Sequence, residues 1–573
     1  MNPIDAVMSR TFCGHQFGKM LFSSIITTFI VNFNFVANKI LAAQLFGKNA
    51  MAGIEIVLPL LFITAFLELM VAMGTAYLYS FEIGSFKTEV ANRLAGQGAF
   101  WTLFLSVILT MSFFFGENIY FSLYSNAEAA TTFAREYYRP FLLTIAVHPI
   151  YVFMQRMVFA DGGGKYCIFA TVLQFVVHVA TALFLTTMLD FGMAGMALSI
   201  FISEIVAMTI FLRWIFFVSQ TMKPTFHCSL ADTIKVLKLG YVSSSVTLYF
   251  SIGNMLLVIY FLRNFDQEYF PILSAIISIS QLSYCFSGIE KAAEPIINVY
   301  LGEDNFNGVI KVMKPAIMTA FSAGVFAVPF LWFFSESIAD VFGVADSNLL
   351  TESVNAIKTF ALAMPFISML HLFTMYYQIN GYFKIAVSLS FCKDFLFYVG
   401  LPIVFSLFFG LHGIWLGLMV AYLGTFCLFT ALLRVRYPKS FPLLAPKQDI
   451  VSKDVSLDVQ KVIDLRGWVE TEFEKRSVPS QNVMKIGLLI EEIGMSIVDH
   501  NPGTNVLAEL TVFFEGEPKI ILRDNGIRFD MTTDNLVSFR DFFLYSFLTE
   551  ENIGNKFLET QNYNRHFFRF SPK

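Results

Sequence analysis

The sequence predicts an all-α polytopic membrane protein with a small cytoplasmic α+β domain after the membrane helices. Of the 573 residues, 56% are hydrophobic and only 14% are charged, whereas soluble domains carry about 25% charged residues. Runs such as residues 173–189 are apolar on every face and approach the roughly 20 residues that cross a bilayer as a helix. A water-soluble enzyme is excluded, and so is a transmembrane barrel, whose strands would alternate apolar and polar residues.

Apolar runs between charged, Gly or Pro breaks predict about twelve transmembrane helices. They lie near residues 20–45, 52–80, 94–117, 136–160, 165–189, 194–219, 233–262, 269–298, 309–335, 353–380, 384–408 and 413–436. The first 19 residues lack a cleavage signature, so no removable signal peptide is expected. Lys and Arg fall mainly in alternate loops, which places the protein in the cytoplasmic membrane with both termini in the cytoplasm.

An internal repeat divides the membrane portion into two halves, offset by about 218 residues. The recurring pairs are Gly162-x-x-Lys165 with Gly381-x-x-Lys384, Phe191-Gly192-x-x-Gly195 with Phe409-Gly410-x-x-Gly413, and Ile83-Gly84 with Leu301-Gly302. Six helices per half make the two repeats parallel, with lobes at residues 1–225 and 226–437. Secondary transporters commonly place a central site between such repeats.

Residues 438–447 form a predicted linker, and the polarity of residues 448–573 is that of a soluble domain. Within this domain the pattern predicts amphipathic helices at 459–476 and 482–498, and strands at 507–514 and 519–523 joined by a tight turn. The net charge of −4 argues against a nucleic-acid partner. The six Cys are scattered, so neither a disulfide framework nor a zinc site is indicated.

Ionisable groups at membrane depth are costly and are therefore functional candidates. Glu68 lies midway along its apolar run, while Glu290 and Glu294 lie one turn apart on one helix face. Lys39 is a candidate counter-ion for such carboxylates, so that protonation of one partner would open the pair. The alternative interpretation is that Lys39 extends to the interface and that Glu290 with Lys291 marks a helix end.

The membrane portion resembles the multidrug and toxic compound extrusion (MATE) family over about residues 15–437. The traces are Ile83-Gly84 followed by Glu89 and Gly96-Gln97-Gly98, Glu294-Pro295 followed by Leu301-Gly302, Gln378-x-x-Gly381 and Phe409-Gly410-x-x-Gly413. The resemblance implies a secondary antiporter in the lipid bilayer that exports small amphipathic, often cationic, organic compounds. It also implies H⁺ or Na⁺ as the coupling ion.

The chain departs from this family at its ion sites. Where members carry a functional Asp in the first helix, this sequence has Asn38 followed by Lys39, and helices 7 and 10 lack the family's Glu and Asp. Asn38 is therefore a candidate, but neither family site carries over. Two alternatives stay open: a flippase for a lipid-linked or polysaccharide precursor, and a membrane-anchored regulator that signals to a cytoplasmic protein partner.

The C-terminal domain resembles the histidine-kinase-like ATPase superfamily, in particular the anti-sigma-factor kinases. Ile490-Glu491-Glu492-x-x-x-Ser496 and Asp524-Asn525-Gly526 carry the resemblance. It implies that Glu492 would activate the attacking group, that Asp524 beside Gly526 would accept from adenine, and that Ser496 replaces the Mg²⁺-binding Asn. The Gly-rich lid is reduced to Gly554. We therefore expect a degenerate domain that binds ATP and Mg²⁺ weakly at most.

Overall fold

The computed structural model describes residues 11–46, 48–122, 128–225, 229–266, 269–341, 347–436, 449–528, 548, 553–559 and 563–570. A bundle of long apolar helices is followed by an α/β sandwich that packs against one end of the bundle. The predicted linker, residues 438–447, lies outside the described residues.

The described residues of the first lobe form six helices. They are α1 (Phe12–Phe46), α2 (Lys48–Gly84), α3 (Thr88–Ser122), α4 (Glu128–Ala160), α5 (Gly164–Leu183) and α6 (Gly192–Arg213). Helices α5 and α6 each continue into a π-helical turn, Phe184–Met188 and Trp214–Val218.

The second lobe contains more and shorter pieces. They are α7 (Leu230–Asn264), α8 (Phe270–Ser283), α9 (Ser287–Gly302), α10 (Phe306–Phe333), α11 (Ser335–Val341), α12 (Ser347–Ala361), α13 (Met364–Ile379), α14 (Phe383–Phe391), α15 (Phe397–Phe409) and α16 (Leu411–Arg436). A 3₁₀ turn, Tyr284–Phe286, separates α8 from α9 within one predicted span. Helices α12 and α13 bend by 42° at their junction, just before Pro365, whose missing amide hydrogen interrupts the helical ladder.

Eight helices among the described residues are long and apolar enough to cross a membrane, and counting each of two bent pairs as one span raises the number to ten. The prediction of a helical polytopic fold is thus confirmed, while the figure of about twelve spans exceeds the eight to ten counted here. Interruptions explain part of the difference, because a predicted apolar run such as 269–298 is divided by the 3₁₀ turn.

The repeated motif Ile83-Gly84 and Leu301-Gly302 ends α2 and α9, and the two copies meet where the lobes touch. A Cβ atom on Gly84 would collide with the carbonyl of Val299, and one on Gly302 would collide with the carbonyl of Phe81. Glycine is required at both positions because only its missing side chain allows this approach of backbones. Ser85 Oγ also donates to the Gly302 carbonyl at 2.9 Å, so the lobes are in direct contact at this end.

The C-terminal domain is a five-stranded antiparallel sheet with two helices on one face. The elements are β1 (Ile450–Leu457), α17 (Val459–Glu474), α18 (Ser480–His500), β2 (Val506–Phe513), β3 (Lys519–Asp524), β4 (Gly554–Glu559) and β5 (Asn564–Arg569). The strand order is β1-β2-β3-β5-β4. Asp458 begins α17 by accepting from the Lys461 amide at 2.8 Å, which satisfies an otherwise free amide of the first turn. The predicted helices and the β2–β3 hairpin are confirmed.

The sheet has two differently occupied faces. One face carries residues such as Leu510, Leu522 and Phe568 and packs on α17 and α18. The other face packs on the membrane helices at the junction of the two lobes, and Phe86 lies against Phe567 with ring centroids 5.1 Å apart. The C-terminal sheet therefore has α17 and α18 on one face and the membrane helices on the other.

Glu303, directly after α9, lies at the centre of this contact. Its carboxylate pairs with Arg523 of β3 and with Arg565 of β5, and all three side chains are at most 2% exposed. Arg565 also donates to the carbonyls of Ile83 and Gly84, both at 2.9 Å. One arginine of the C-terminal sheet thus contacts both lobes at once.

A second ion cluster joins the sheet to α10. Lys311 lies 3.0 Å from Asp454 and 2.9 Å from the buried Glu509, and Tyr300 donates to Glu509 at 2.6 Å. Burial alone would raise the pKa of Glu509, but Arg523 and Lys311 outweigh it and hold this pKa below its usual value. The carboxylate is therefore ionised at neutral pH and keeps its partners.

The Glu303 cluster generates a stability prediction. Glu303→Gln leaves Arg565 buried without its carboxylate partner, while Arg523 keeps its pair with Glu509 at 2.9 Å. Breaking a buried pair in this way costs roughly 3–5 kcal/mol. We expect the midpoint of thermal unfolding of the full chain in detergent to fall by several degrees. Glu517→Gln is the control, because its partner Arg569 is 55% exposed and such surface pairs contribute about 0–1 kcal/mol. Equal midpoints for the two variants would show that Glu303 does not stabilise the contact.

Candidate functional site

The first lobe has an open cavity between α1, α2, α4, α5 and α6, with a volume of about 810 Å³ that includes the part open to solvent. Its walls are largely apolar and aromatic, with a few polar groups at one place. The lining residues include Val31, Asn34, Asn38, Ile54, Val57, Leu61, Tyr137, Phe141, Thr144, His148, Tyr151, Gln174, His178, Ile200 and Glu204. Such a combination of apolar walls and a few convergent polar groups is typical of small-molecule sites.

Two glutamates and a histidine from three different helices meet beside this cavity. His148 of α4 lies 3.3 Å from Glu68 of α2 through Nε2 and 2.7 Å from Glu204 of α6 through Nδ1. Glu68 is 3% exposed and Glu204 is 2% exposed. Because both imidazole nitrogens face carboxylates, the ring links the three helices through one titratable group.

The remaining carboxylate oxygens leave capacity for protons. Glu68 Oε2 and Glu204 Oε2 are buried and have no hydrogen-bond partner among the residues that the structure describes. A neutral imidazole carries one N–H, so two carboxylates can face both ring nitrogens favourably only when a further proton lies on His148 or on one of the acids. The cluster then carries one negative charge, and one added proton neutralises it. A buried cluster of this kind is suited to binding and releasing protons at membrane depth.

The structure brings some of the predicted residues together and separates others. Glu68 and Asn38 belong to this lobe, where Asn38 lines the cavity and its amide lies 3.4 Å from the Tyr137 hydroxyl. The side chain of Lys39 lies outside the described residues. His148 as the connecting group was missed, because it is 80 residues from Glu68 along the chain and an isolated His gives no pattern in the sequence.

Glu290 and Glu294 form a separate group on α9, at the interface between the lobes. Glu294 is buried and accepts a hydrogen bond from Tyr77 of α2. Both glutamates interact electrostatically with Lys291 of α9 and Arg156 of α4. These acids therefore do not join Glu68 in one site.

The second lobe contains a buried ion pair that sequence reasoning missed. Lys393 and Asp394 are neighbours in the π-helical turn Cys392–Leu396, their charged atoms are 2.6 Å apart, and their side chains are 1% and 2% exposed. The available signal was two adjacent charges in an otherwise apolar run, and π-helical turns occur frequently at functional sites.

In the C-terminal domain, Asp524 is already hydrogen-bonded within the chain. Its carboxylate accepts from the Gly526 amide and from Asn564 Nδ2, both at 3.0 Å, and His566 lies 3.3 Å away. Ser496 is 1% exposed, and Glu492 is half-buried on the same helix, α18. Gly554 begins strand β4 instead of standing in a lid loop, so the expected remnant of a lid at this glycine is wrong.

No group of three or more His, Cys, Asp or Glu side chains in the described ranges could hold a metal ion.

The chain is similar to known proteins over its membrane portion. The MatE family model matches residues 23–184 and 243–403, more than half of the chain. A search of curated proteins finds no match. At 18% identity, the chain is similar to a crystal structure of MATE in complex with MaL6, with a TM-score of 0.70 over 77% of this chain and 99% of that one.

Two further solved structures give the same picture of the fold. An outward-facing multidrug resistance MATE transporter of the MOP superfamily matches at 18% identity and a TM-score of 0.70, over 77% of this chain and 99% of that one. A MOP superfamily transporter from Pyrococcus furiosus, described as having reversed polarity in its binding pocket, matches at 18% identity and 0.69, over the same shares.

The Lys393–Asp394 pair generates a prediction that separates a structural role from a functional one. Lys393→Met leaves Asp394 buried without a cation and costs roughly 3–5 kcal/mol, whereas Lys393→Met combined with Asp394→Leu removes both charges and restores most of the stability. Thermal unfolding of the full chain in detergent measures both variants. Lys235→Met is the control, because Lys235 is 66% exposed in its pair with Asp232. A stable single variant would show that the pair does not matter for the fold.

Proposed function

Since the chain belongs to the MatE family, we propose that it is a secondary antiporter that exports small amphipathic organic compounds and is driven by a proton gradient. The observation that carries this proposal is the Glu68–His148–Glu204 cluster at the wall of the first-lobe cavity. It replaces, with other residues on other helices, the family carboxylate that the sequence lacks at Asn38.

Protons are favoured over Na⁺ by the chemistry of the cluster. A sodium site needs several oxygen ligands around one point, whereas here an imidazole lies between the two carboxylates and faces each through a nitrogen. Imidazole and carboxylate together exchange protons in the physiological range. The proposal therefore assigns Glu68 and Glu204 as the proton acceptors and His148 as the group between them.

The coupling follows from electrostatics in a medium of low polarity. When both acids are ionised and His148 is protonated, the imidazolium attracts both carboxylates and holds α2, α4 and α6 together. Protonation of a glutamate weakens these attractions and lets the helices repack, which changes the shape of the cavity. A cycle of this kind makes a conformational equilibrium depend on protons, as antiport requires.

The walls of the cavity support an organic cargo. Ile54, Val57, Leu61 and Phe141 present apolar surface, and Tyr137 adds an aromatic ring with a hydroxyl. Two of the similar structures are complexes of MATE with MaL6 and with MaD5, which supports a ligand-binding role for this fold.

For the C-terminal domain, we propose a degenerate nucleotide-binding domain that has kept its fold but has lost the groups that bind and hydrolyse the nucleotide. Both hydrogen bonds that Asp524 accepts within the chain are to Oδ1, and Oδ2 faces His566 Nε2 at 3.3 Å, so an adenine amino group would have to displace this imidazole to reach the carboxylate. Gly554 lies in a paired strand, where its backbone is engaged with Arg569 of β5 and cannot wrap a triphosphate.

The proton-coupling proposal predicts that Glu68→Gln abolishes efflux driven by a pH gradient. Glutamine keeps the shape of the side chain but can neither gain nor lose a proton, so we expect transport of a fluorescent organic substrate in inverted vesicles to fall by at least about tenfold, a typical consequence of losing an acid–base group. Glu204→Gln is expected to give the same result.

The matched control is Glu336→Gln, which makes the same chemical change at an exposed residue in α11. Its transport rate should equal that of the unaltered protein. Wild-type rates for both Glu68→Gln and Glu204→Gln, at equal expression, would remove the cluster from the coupling mechanism.

The proposal for the C-terminal domain predicts weak nucleotide binding by the full chain. We expect a dissociation constant for MgATP no lower than roughly 0.1–1 mM, which corresponds to about 4–5.5 kcal/mol, and no hydrolysis. Equilibrium dialysis with labelled ATP measures the affinity. Micromolar affinity that requires Mg²⁺ and is lost in Asp524→Asn would contradict the proposal.

A further inference from the structure

A second open cavity lies between the two lobes, with a volume of about 690 Å³ that includes the part open to solvent. One wall comes from α1 and α4 of the first lobe, and the other from the Tyr284–Phe286 turn and α9 of the second. Its lining includes Ser24, Thr27, Arg156, Phe159, Tyr284 and Lys291. The cavity therefore lies where the lobes must move against each other.

The charges that line this cavity are both positive. Arg156 and Lys291 approach it from opposite lobes, and no acidic residue lines it among the described residues. Glu290 and Glu294 lie near enough to interact electrostatically with both cations, yet they form no ion pair with Arg156 within the described residues. The charged side chains that line the cavity are thus basic, although Glu290 and Glu294 lie close behind them.

Several donors on this wall have unused hydrogen-bonding capacity. Ser24 Oγ, Thr27 Oγ1 and Arg156 Nε are buried and have no hydrogen-bond partner in the described part of the chain. Ser24 is 1% exposed and Thr27 is 8% exposed. Lys291 donates to Thr28 at 3.2 Å, which uses one of the three hydrogens of its ammonium group. Buried donors of this kind are normally satisfied, so their grouping indicates a ligand.

From this arrangement we infer that the inter-lobe cavity binds the anionic head group, a phosphate or a carboxylate, of an amphipathic ligand. A planar guanidinium, an ammonium and two hydroxyls are the donors that match such an oxyanion. The inference rests on the proposed function in taking this ligand to be the transported compound. It differs from the cationic cargo that the family resemblance implies.

The cavity also offers space for an apolar body. Phe159 and Tyr284 line the wall beside the cations, and Val31 lines both this cavity and the cavity of the first lobe. An anionic head at Arg156 and Lys291 therefore leaves the tail directed along α1, toward the cavity that holds His148. One ligand can then contact both regions.

Binding to the purified full chain in an uncharged detergent tests the inference without any gradient, so that it is independent of proton coupling. The probes are dodecyl phosphate, dodecyltrimethylammonium with the same tail and the opposite charge, and inorganic phosphate as competitor. Isothermal calorimetry should show tight binding of dodecyl phosphate alone among the two amphiphiles. Arg156→Gln and Lys291→Gln should each weaken it by at least about tenfold, as expected for loss of one partner of a desolvated charge pair.

Lys235→Gln is the control, because it removes one exposed positive charge from the start of α7 and should leave binding unchanged. Arg156→Lys keeps the charge but not the planar fork, and should lose less affinity than Arg156→Gln, which separates recognition from misfolding. Displacement by inorganic phosphate would assign the site to soluble oxyanions, and its absence would assign it to amphiphiles with an anionic head.

Two results would overturn the inference: binding of dodecyltrimethylammonium as tightly as dodecyl phosphate, or full affinity for dodecyl phosphate in both Arg156→Gln and Lys291→Gln. The first would mean that Glu290 and Glu294 dominate the field of the cavity. Because Glu68→Gln impairs transport without touching this cavity, its binding of dodecyl phosphate should be normal, and failure of one proposal is distinguishable from failure of the other.

Discussion

The buried carboxylate of Glu303 holds the three parts of the chain in one arrangement. It lies immediately after the glycine at which the lobes touch, and it pairs with two arginines from different strands of the C-terminal sheet, of which Arg523 also pairs with Glu509. Because a buried charge without a partner is costly, the sheet must be positioned so that Arg565, whose carboxylate partner among the described residues is Glu303, reaches this acid. The register of the sheet, the end of α9 and the contact at Gly84 are therefore fixed together.

Much of this fold could be predicted because it depends on local and repeated patterns. Apolar length identifies the membrane helices, the offset motifs identify the two lobes, and alternation identifies the β2–β3 hairpin. The recurring glycines even mark the place where the lobes meet, since Gly84 and Gly302 are copies of one motif. The sequence could not predict how the C-terminal sheet packs against the membrane helices. Nothing in the residues around Arg523 or Arg565 indicates that these two side chains face the end of a membrane helix.

The candidate sites were less predictable from the sequence, because helix packing brings their residues together and local patterns do not describe that packing. Glu68 could be identified alone, because a single acid in an apolar run is costly wherever its partners lie. Its partners His148 and Glu204 are brought to it only by helix packing, so their relation is a property of the tertiary structure. The cavity wall with Arg156 and Lys291 was even less predictable, because the two residues belong to different lobes. In the sequence each one looks like an ordinary charged residue near a helix end, and only the packing of the lobes brings them to one cavity.

The contact of Arg565 with the carbonyls of Ile83 and Gly84 has a consequence for how the protein is made. Both lobes lie earlier in the chain than β3 and β5, so they are synthesised and can enter the membrane before either arginine exists. During that interval Glu303 has no counter-charge from the sheet and needs water around it. The sheet can therefore close this end of the bundle only after both lobes have been synthesised.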